Sequence, residues 1–307
     1  MAGRTHGQHA IPVTFGFKAA AWLDELLRHE ERLVESRPRV LVGEFGGAVG
    51  TLAALGGKGL EIQALLMARL DLGVAEAPVK TAGDRIAEFV LLLSMLSATL
   101  GKIAQNIYNL QQTDVDEVQE FVEGKVGSSA MPHKQNPVAS GSVVFLGRLL
   151  RANAGPALDY IHAEGEDDHR QGETAWKFVP EVCLLADAQI ELTARVLSSL
   201  VVKPENMIRN LDRASGFICS ESLLMRLSDS MGRDQAHTLV KEICDAAREQ
   251  GKSLREIAAG EPAVRRHLTA ASIDSSLAPE SYLGETQEIV SRVVSSYRKR
   301  RKARKLP

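Results

Sequence analysis

The sequence predicts an all-α protein, and two features of the chain lead to this prediction. Apolar residues recur every three or four positions over long stretches, as they do along one side of an α-helix. Alternation of apolar and polar residues bounded by hairpin turns, the pattern of a β-strand, is not evident anywhere. With 307 residues, of which 44% are hydrophobic, the chain can bury a large core. We therefore expect a bundle of long helices.

The first predicted helix begins near Pro12 and ends near Arg37 and Pro38, because proline favours a first turn and interrupts a helix further on. A glycine-rich loop over residues 43–51 follows it. This loop lacks the spacing of a phosphate-binding P-loop, so a nucleotide site there is weakly supported. Close packing of its backbone is the simplest interpretation.

The most apolar stretch of the chain covers residues 84–110. Between residues 89 and 96 it is apolar on nearly every side, which predicts a central bundle helix that neighbours bury on several faces. The same three-or-four spacing predicts further helices over residues 138–161, 173–200 and 220–231.

A domain boundary is predicted near Gly232, which ends one helix, while Asp234 is placed to cap the start of the next. We expect a central helical-bundle domain over residues 1–231 and a small helical domain over residues 232–307. The basic run at residues 298–305 is interpreted as a solvated tail rather than a nucleic-acid contact.

Composition excludes several functional classes. Lys and Arg total 37 and Asp and Glu total 39, so a net charge of −2 suggests neither a nucleic-acid nor a membrane partner. Charged residues interrupt each apolar stretch before it reaches membrane-spanning length, and no signal peptide precedes the first motif. The cysteines lie far apart, which fits the reduced thiols of a cytoplasmic protein: Cys183, Cys219 and Cys244.

One loop stands out, because residues 127–137 read GSSAMPHKQNP and join two helical patterns. Gly127 permits a sharp turn, while Pro132 and Pro137 restrict the backbone. Pro137 is placed to begin a helix whose first N–H groups would face an anion. The loop, which extends over about residues 122–137, is therefore predicted to bind a carboxylate.

This loop resembles the GSSxMPxKxNP signature of the fumarase/aspartase superfamily, and residues 3–12 resemble its GRTHxQxAxP region. The resemblance implies a long-helix bundle with a small C-terminal helical domain. It also implies a lyase without a cofactor, a small carboxylated substrate and a homotetramer. It further suggests that the glycine-rich loop over residues 43–51 lies near the substrate.

The resemblance gives Ser128 the role of catalytic base. Because a serine hydroxyl is a weak acid, a nearby cation and N–H donors must lower its pKa, and Lys134 and the helix after Pro137 are suitable. Asn136 can donate to the same developing oxyanion. The other residues predicted to bind the substrate are Thr5, Gln8, Ser129 and Met131.

His6 is the predicted acid, or a group that orients the acid, because imidazole titrates near neutral pH. Thr5 beside it can bind a carboxylate. His6 and His9 have no acidic or cysteine partner that would complete a zinc site, so no metal is predicted. Weaker candidates are His133, His162 and His169.

Three alternatives remain open for the function. Residues 5–9 and 127–134 resemble adenylosuccinate lyases, which favours C–N cleavage with release of fumarate. However, residues 169–176 lack the Ser-Ser-x-Glu-Arg stretch with which those enzymes hold a phosphate. Trp176 in this segment and residues 282–284 look more like the 3-carboxy-cis,cis-muconate cycloisomerases, which form lactones. A catalytically inactive helical assembly protein is the third alternative.

The resemblance also bears on completeness. Family members build each active site from three conserved regions, and only the regions around His6 and Ser128 are found here. The third belongs to an N-terminal domain that the sequence is expected to lack. Since catalysis needs groups held at near-attack distances, we expect the 307-residue chain alone to be inactive or nearly so, and the missing segment to restore activity.

Overall fold

A computed structural model describes residues 1–121, 128 and 130–303 of the chain. In chain order its helices are α1 (Phe15–Val40), α2 (Gly59–Leu70), α3 (Asp84–Leu110), α4 (Val138–Asn153), α5 (Pro156–Asp159), α6 (His169–Ser198), α7 (Pro204–Asp212), α8 (Ser220–Met231), α9 (Arg233–Gln250), α10 (Leu254–Gly260), α11 (Pro262–Arg265), α12 (Ala270–Leu277) and α13 (Thr286–Ala303). Its strands are β1 (Ala2–Thr5), β2 (Gln8–Pro12), β3 (Val42–Gly43), β4 (Gly73–Val74), β5 (Val118–Gln119) and β6 (Val201–Val202). Helices dominate, which confirms the predicted class.

The chain forms two compact units. The first, here called the bundle unit, consists of Asp24–Gln111 and Val118–Val201. The second, here called the terminal unit, consists of Met1–Leu23, Gln112–Glu117 and Val202–Pro307. Each unit therefore contains segments that are distant in sequence.

A buried glutamine joins three helices of the bundle unit, α3, α4 and α6. The Nε2 group of Gln189 in α6 donates to the carbonyl oxygens of Ser97 in α3 at 3.1 Å and Val143 in α4 at 3.0 Å. At Gly147, a Cβ atom would lie 2.6 Å from that same nitrogen, so a side chain there would displace the Gln189 amide. The surrounding core contains Val90, Ile103, Leu150, Phe178 and Val182.

One helix, α3, is long and apolar enough to cross a membrane by length and composition alone. The core helix of a soluble protein meets the same criteria. Val90, Ile103 and Ile107 of α3 are fully buried, and Lys102 forms an ion pair with Glu25 of α1. These contacts identify α3 as a core helix of the bundle unit, as its apolar pattern predicts.

The terminal unit combines a β-hairpin with the helices from α7 onward. Strands β1 and β2 pair antiparallel, with Thr5 opposite Gln8. Helices α8, α9, α10 and α12 enclose one core, which includes Leu227 from α8 and Val240 from α9. The domain boundary predicted after Met231 stays a prediction, and the structure adds that the helices on both sides of that boundary share this core.

Several local predictions are corrected. The hairpin of β1 and β2 was not expected, because its short strands carry no regular alternation of apolar and polar residues. Helix α1 continues past Pro38 to Val40, since a proline in the last turn removes few hydrogen bonds. The helix predicted over residues 138–161 is divided into α4 and α5. Gly232, with a φ of 83°, is the residue before α9, so Asp234 lies in its first turn instead of capping it.

Between α1 and α3, a buried histidine belongs to a chain of polar contacts. His29 Nε2 lies 2.8 Å from Thr99 Oγ1, which donates to Glu25 Oε1 at 2.5 Å, so His29 must be the donor to Thr99. Lys102 pairs with the other oxygen of Glu25. Burial first, and then the charge of Arg32, lower the pKa of His29 below its ordinary value of 6.5. The folded chain therefore favours neutral His29 more strongly than the unfolded chain does.

We expect His29 to make the protein less stable in acid. Below pH 6.5 the unfolded chain gains a proton at His29 that the folded chain does not bind. The stabilisation is thus fully present above that value and is lost as the pH falls towards the lowered pKa. In urea unfolding between about pH 7 and about pH 5, His29→Gln should lose less stability than the unmodified protein. The exposed His237→Gln serves as control, and equal pH slopes for all three proteins would contradict the assignment.

Candidate functional site

The signature loop places a backbone N–H donor beside Ser128. Ser128 Oγ accepts a hydrogen bond from the N–H of Met131 at 3.1 Å, and the N–H of Lys134 donates to the carbonyl oxygen of Met131 at 3.0 Å. Ser128 is half-buried, whereas Met131 and Lys134 are exposed. An N–H donor favours negative charge on a hydroxyl oxygen, so this geometry suits a serine base. Gly127 and Ser129 lie outside the described residues.

The helix that follows the loop already binds a carboxylate of the same chain. Glu120 Oε1 accepts from the N–H of Ala139 at 2.7 Å. Its Oε2 accepts from the N–H of Ser140 at 2.9 Å and from the Ser140 hydroxyl at 2.5 Å. The expectation that the N–H groups after Pro137 face a substrate anion is therefore wrong, because Glu120 occupies them. Two groups were predicted to lower the pKa of Ser128, namely Lys134 and the start of this helix, and only Lys134 remains a candidate.

A glutamine at the end of α3 connects the two ends of the loop. Gln111 Oε1 accepts from the N–H of Glu120 at 2.8 Å, and Gln111 Nε2 donates to the carbonyl oxygen of Gln135 at 3.0 Å. The side chain of Gln119 also donates to the side chain of Gln135. The entrance and the exit of the loop are thus held together by side chains of the bundle unit.

His6 lies at the tip of the hairpin in the terminal unit. His6 has a φ of 52° and Gly7 a φ of 76°, and two successive positive values define a two-residue turn of type I′. The left-handed conformation destabilises a residue that has a side chain by about 1 kcal/mol, and such strain is concentrated at functional sites. Thr5, His6 and Gln8 are all exposed and free to meet a ligand. Their roles stay predictions.

The hairpin is anchored by a fully buried carboxylate. Glu117 accepts two hydrogen bonds from the Arg4 guanidinium, at 2.8 Å to Oε1 and 2.9 Å to Oε2. Asn210 Nδ2 in α7 donates to the same Oε1 at 3.0 Å. A buried charge needs such a set of donors to offset the loss of water. Because Arg4 stands two residues before His6, this cluster fixes the strand that carries the predicted acid.

Helix α7 also binds the segment that leads towards the loop. Asp116 accepts from Lys203 Nζ at 2.6 Å and from Asn206 Nδ2 at 2.7 Å. One turn later, Asn210 Nδ2 donates to the carbonyl oxygen of Val115 at 2.7 Å. Asparagines four positions apart thus form one polar face of α7, and this face holds the chain shortly before Glu117.

The remaining candidates are less informative. His133, His162 and His169 are exposed, and the structure adds nothing to their assignment. In the glycine-rich loop, a Cβ on Gly46 would lie 2.3 Å from the carbonyl oxygen of Pro78, which fits close packing. A position of this loop near the substrate remains a prediction. Within the described part of the chain, no group of three or more metal-binding side chains is found.

Comparison with known proteins relates both ends of the chain to described families. A family model described as "Lyase" matches residues 1–146, and one described as "Adenylosuccinate lyase C-terminus" matches residues 216–293. N-acetyl-S-(2-succino)cysteine lyase from Dickeya dadantii is 38% identical over 96% of this chain and 65% of its own length. Adenylosuccinate lyase from Pyrococcus abyssi is 41% identical over 95% of this chain and 66% of its own length.

A solved structure matches nearly the whole of this chain. The 3-carboxy-cis,cis-muconate lactonizing enzyme from Pseudomonas putida superposes with a TM-score of 0.90 at 36% identity, over 97% of this chain and 67% of that enzyme. The chain belongs to the fumarase/aspartase superfamily. As a member of this lyase superfamily, it spans about 65% of the length of the two curated relatives above.

Sequence reasoning missed residues that support the superfamily motifs. Glu117 and Glu120 stand three residues apart directly before the signature loop, and that spacing is the signal that could have drawn attention to them. Lys18 in α1 was also missed. Burial first, and then the nearby Arg4, lower the pKa of the Lys18 ammonium. A lysine perturbed in this way beside the His6 hairpin is a candidate for a role at the site.

We expect Glu117→Gln to destabilise the chain by about 3 kcal/mol, because it leaves the Arg4 guanidinium without its charged partner. Urea unfolding measures the loss. The matched control is Asp274→Asn, which breaks an exposed pair with Arg255 in the same unit and should cost clearly less stability, because water screens the exposed charges. Equal losses of unfolding free energy in the two variants would show that the buried pair stabilises the fold no more than the exposed pair does.

Proposed function

We propose that this chain carries the signature loop of a lyase that eliminates a group next to a carboxylate. The substrate class that this chemistry favours is a succinyl conjugate, which would yield fumarate. The Ser128 hydroxyl with its Met131 N–H donor is the observation on which the proposal rests. The names of the two curated relatives support it, since both describe lyases of succinyl compounds.

The proposed step conserves atoms and electrons. Ser128, as its alkoxide, removes a proton from the carbon next to one carboxylate of the substrate. The electrons of that C–H bond form the C=C bond of fumarate, and the electrons of the bond to the leaving group depart with its nitrogen or sulfur. His6 then supplies the proton that the leaving group needs.

Other predicted residues would stabilise the charge that develops. Lys134 and Asn136 would face the carboxylate whose oxygens take up negative charge in the transition state, which lowers the barrier most when the donors are preorganised. Thr5 and Gln8 at the hairpin tip would hold the second carboxylate. Met131 and Ser129 complete the proposed set of binding residues.

The leaving group is the open part of the proposal. Our main interpretation is an amine, as in adenylosuccinate lyases, and the relative from Dickeya dadantii adds a thiol. Arg170 is the cation in the segment that departs from the phosphate-binding pattern. Its guanidinium donates to both carboxylate oxygens of Asp168, at 2.8 and 2.7 Å, and also pairs with Glu164 at 3.3 Å. These contacts favour a leaving group without a phosphate.

A cycloisomerase is the second candidate. The structural similarity to the lactonizing enzyme from Pseudomonas putida favours it. So does Trp176, which is 81% exposed on α6 in the segment that resembles the cycloisomerases. In that reaction the elimination would run in reverse: one carboxylate of a carboxymuconate adds to the C=C bond to close the lactone, and Ser128, protonated at the start, gives its proton to the neighbouring carbon.

Substrate assays distinguish these candidates. The purified chain, with and without the segment that its longer relatives carry, should be given adenylosuccinate, N-acetyl-S-(2-succino)cysteine and 3-carboxy-cis,cis-muconate. Fumarate or lactone formation is then followed by absorbance. Turnover of none of them, in either form, would favour a catalytically inactive assembly protein. Full turnover by the chain alone would overturn the expectation that it is inactive by itself.

In any active form, Ser128→Ala should abolish turnover and largely keep substrate binding, because the hydroxyl is small and the carboxylate contacts remain. Lys134→Ala should weaken both turnover and binding. Kinetics together with calorimetric binding of the substrate provide the measurement, with the exposed Ser291→Ala as control. Near-normal turnover by Ser128→Ala would remove this residue from the role of base.

We also propose a homotetramer in the cytoplasm. Large apolar side chains on the long helices of the bundle unit are exposed in the single chain, and association would bury them: Leu91, Met95, Phe145, Leu149, Leu184 and Ile190. The described cysteines are free thiols, as in reducing compartments. Burial raises the pKa of Cys219 to about 11, which makes this thiol unreactive.

Light scattering at micromolar concentration should therefore report a tetramer. Phe145→Glu, which places a charge on the exposed face of α4, should shift the mass towards smaller species. Leu60→Glu on α2 serves as the control for an exposed apolar residue outside the long helices. A monomeric parent protein would contradict the proposed assembly.

A further inference from the structure

We propose that Glu120 is a positioning residue for Ser128. The inference rests on the proposed function, because it assigns Glu120 the task of holding the base where elimination can occur. Glu120 itself need not touch the substrate. It lies eight residues before Ser128, and its carboxylate binds the chain again at Ala139 and Ser140.

The Glu120 carboxylate connects the chain before Ser128 to the start of α4. Both carboxylate oxygens of Glu120 are used, and together they accept from two N–H groups and one hydroxyl group of α4. The carboxylate, Ala139 and Ser140 are buried, so water does not compete for these bonds. One side chain thus closes the segment that contains Ser128 into a loop with fixed ends.

The same part of the chain is also attached to the helical core. The N–H of Glu120 donates to Gln111, which follows α3 directly, and Gln111 in turn donates to Gln135 near the end of the loop. Val143 and Leu150 of α4 are fully buried in the bundle core. Both ends of the loop are therefore bonded to helices that are packed into that core and cannot shift independently of it.

The negative charge of Glu120 strengthens its contacts with α4. A carboxylate at a helix N-terminus is favoured by the helix dipole, and its hydrogen bonds are about twice as strong as neutral ones. The amide of a glutamine would have nearly the same shape but would point an N–H group at a donor. A displacement of a reacting group by about 1 Å can reduce a rate about 100-fold. The charge of Glu120, rather than its volume, is therefore the property to test.

Glu120→Gln should reduce kcat about tenfold or more, with a change in KM of less than about threefold, because a displaced base weakens the transition state more than substrate binding. The matched control is Glu256→Gln, the same substitution at the N-terminal capping box of α10, where Glu256 accepts from Ser253. This control should keep both constants. A kcat equal to that of the parent, or a loss shared equally by the control, would overturn the inference.

A second measurement does not depend on turnover. The Met131 N–H donates to Ser128 Oγ and so reports the geometry of the base directly. Amide hydrogen exchange in Glu120→Gln should be about tenfold faster or more at Met131, Ala139 and Ser140, and unchanged in α8 and α9. If the parent chain acts on no substrate, even with the segment that its longer relatives carry, the proposed function fails and exchange alone decides. Unchanged exchange at Met131 would then overturn the positioning role.

Discussion

The requirement that buried N–H groups find acceptors shapes the region around the signature loop. Helix α4 starts in the interior, and its first-turn donors at Ala139 and Ser140 are buried. Water cannot serve them, so a group of the protein must. Glu120 meets this demand with a carboxylate, and the chain before the loop must therefore return to the point where the loop ends. The approach of Glu120 to the start of α4 follows from this one constraint.

Opposite charges in the interior play a comparable part at the hairpin. Glu117 is fully buried and would be costly alone, but Arg4 and Asn210 supply donors from two other segments. The carboxylate therefore connects β1, the segment before the signature loop and α7. Within the terminal unit, these contacts give the short strands of the hairpin a fixed place that their own hydrogen bonds would not provide.

The sequence predicted the long helices well, because burial of one helix face imposes a period that a single chain displays. The positions of Val90, Ile103 and Ile107 in the core follow from that period. The hairpin could not be predicted in this way. Its anchor pairs Arg4 with a residue 113 positions away, and no local pattern encodes such a partner. At the site, Ser128 and His6 stay predictions from motif resemblance, whereas the tertiary partner of the α4 N-terminus was invisible to sequence analysis because no local pattern encodes it.

The turn at His6 has an evolutionary consequence. Left-handed backbone favours glycine or asparagine, so selection for stability alone would replace this histidine. Selection for proton transfer would keep the imidazole and accept the strain. Selection for stability and selection for activity therefore favour different residues at position 6. In laboratory evolution, a substitution here would raise stability and lower activity.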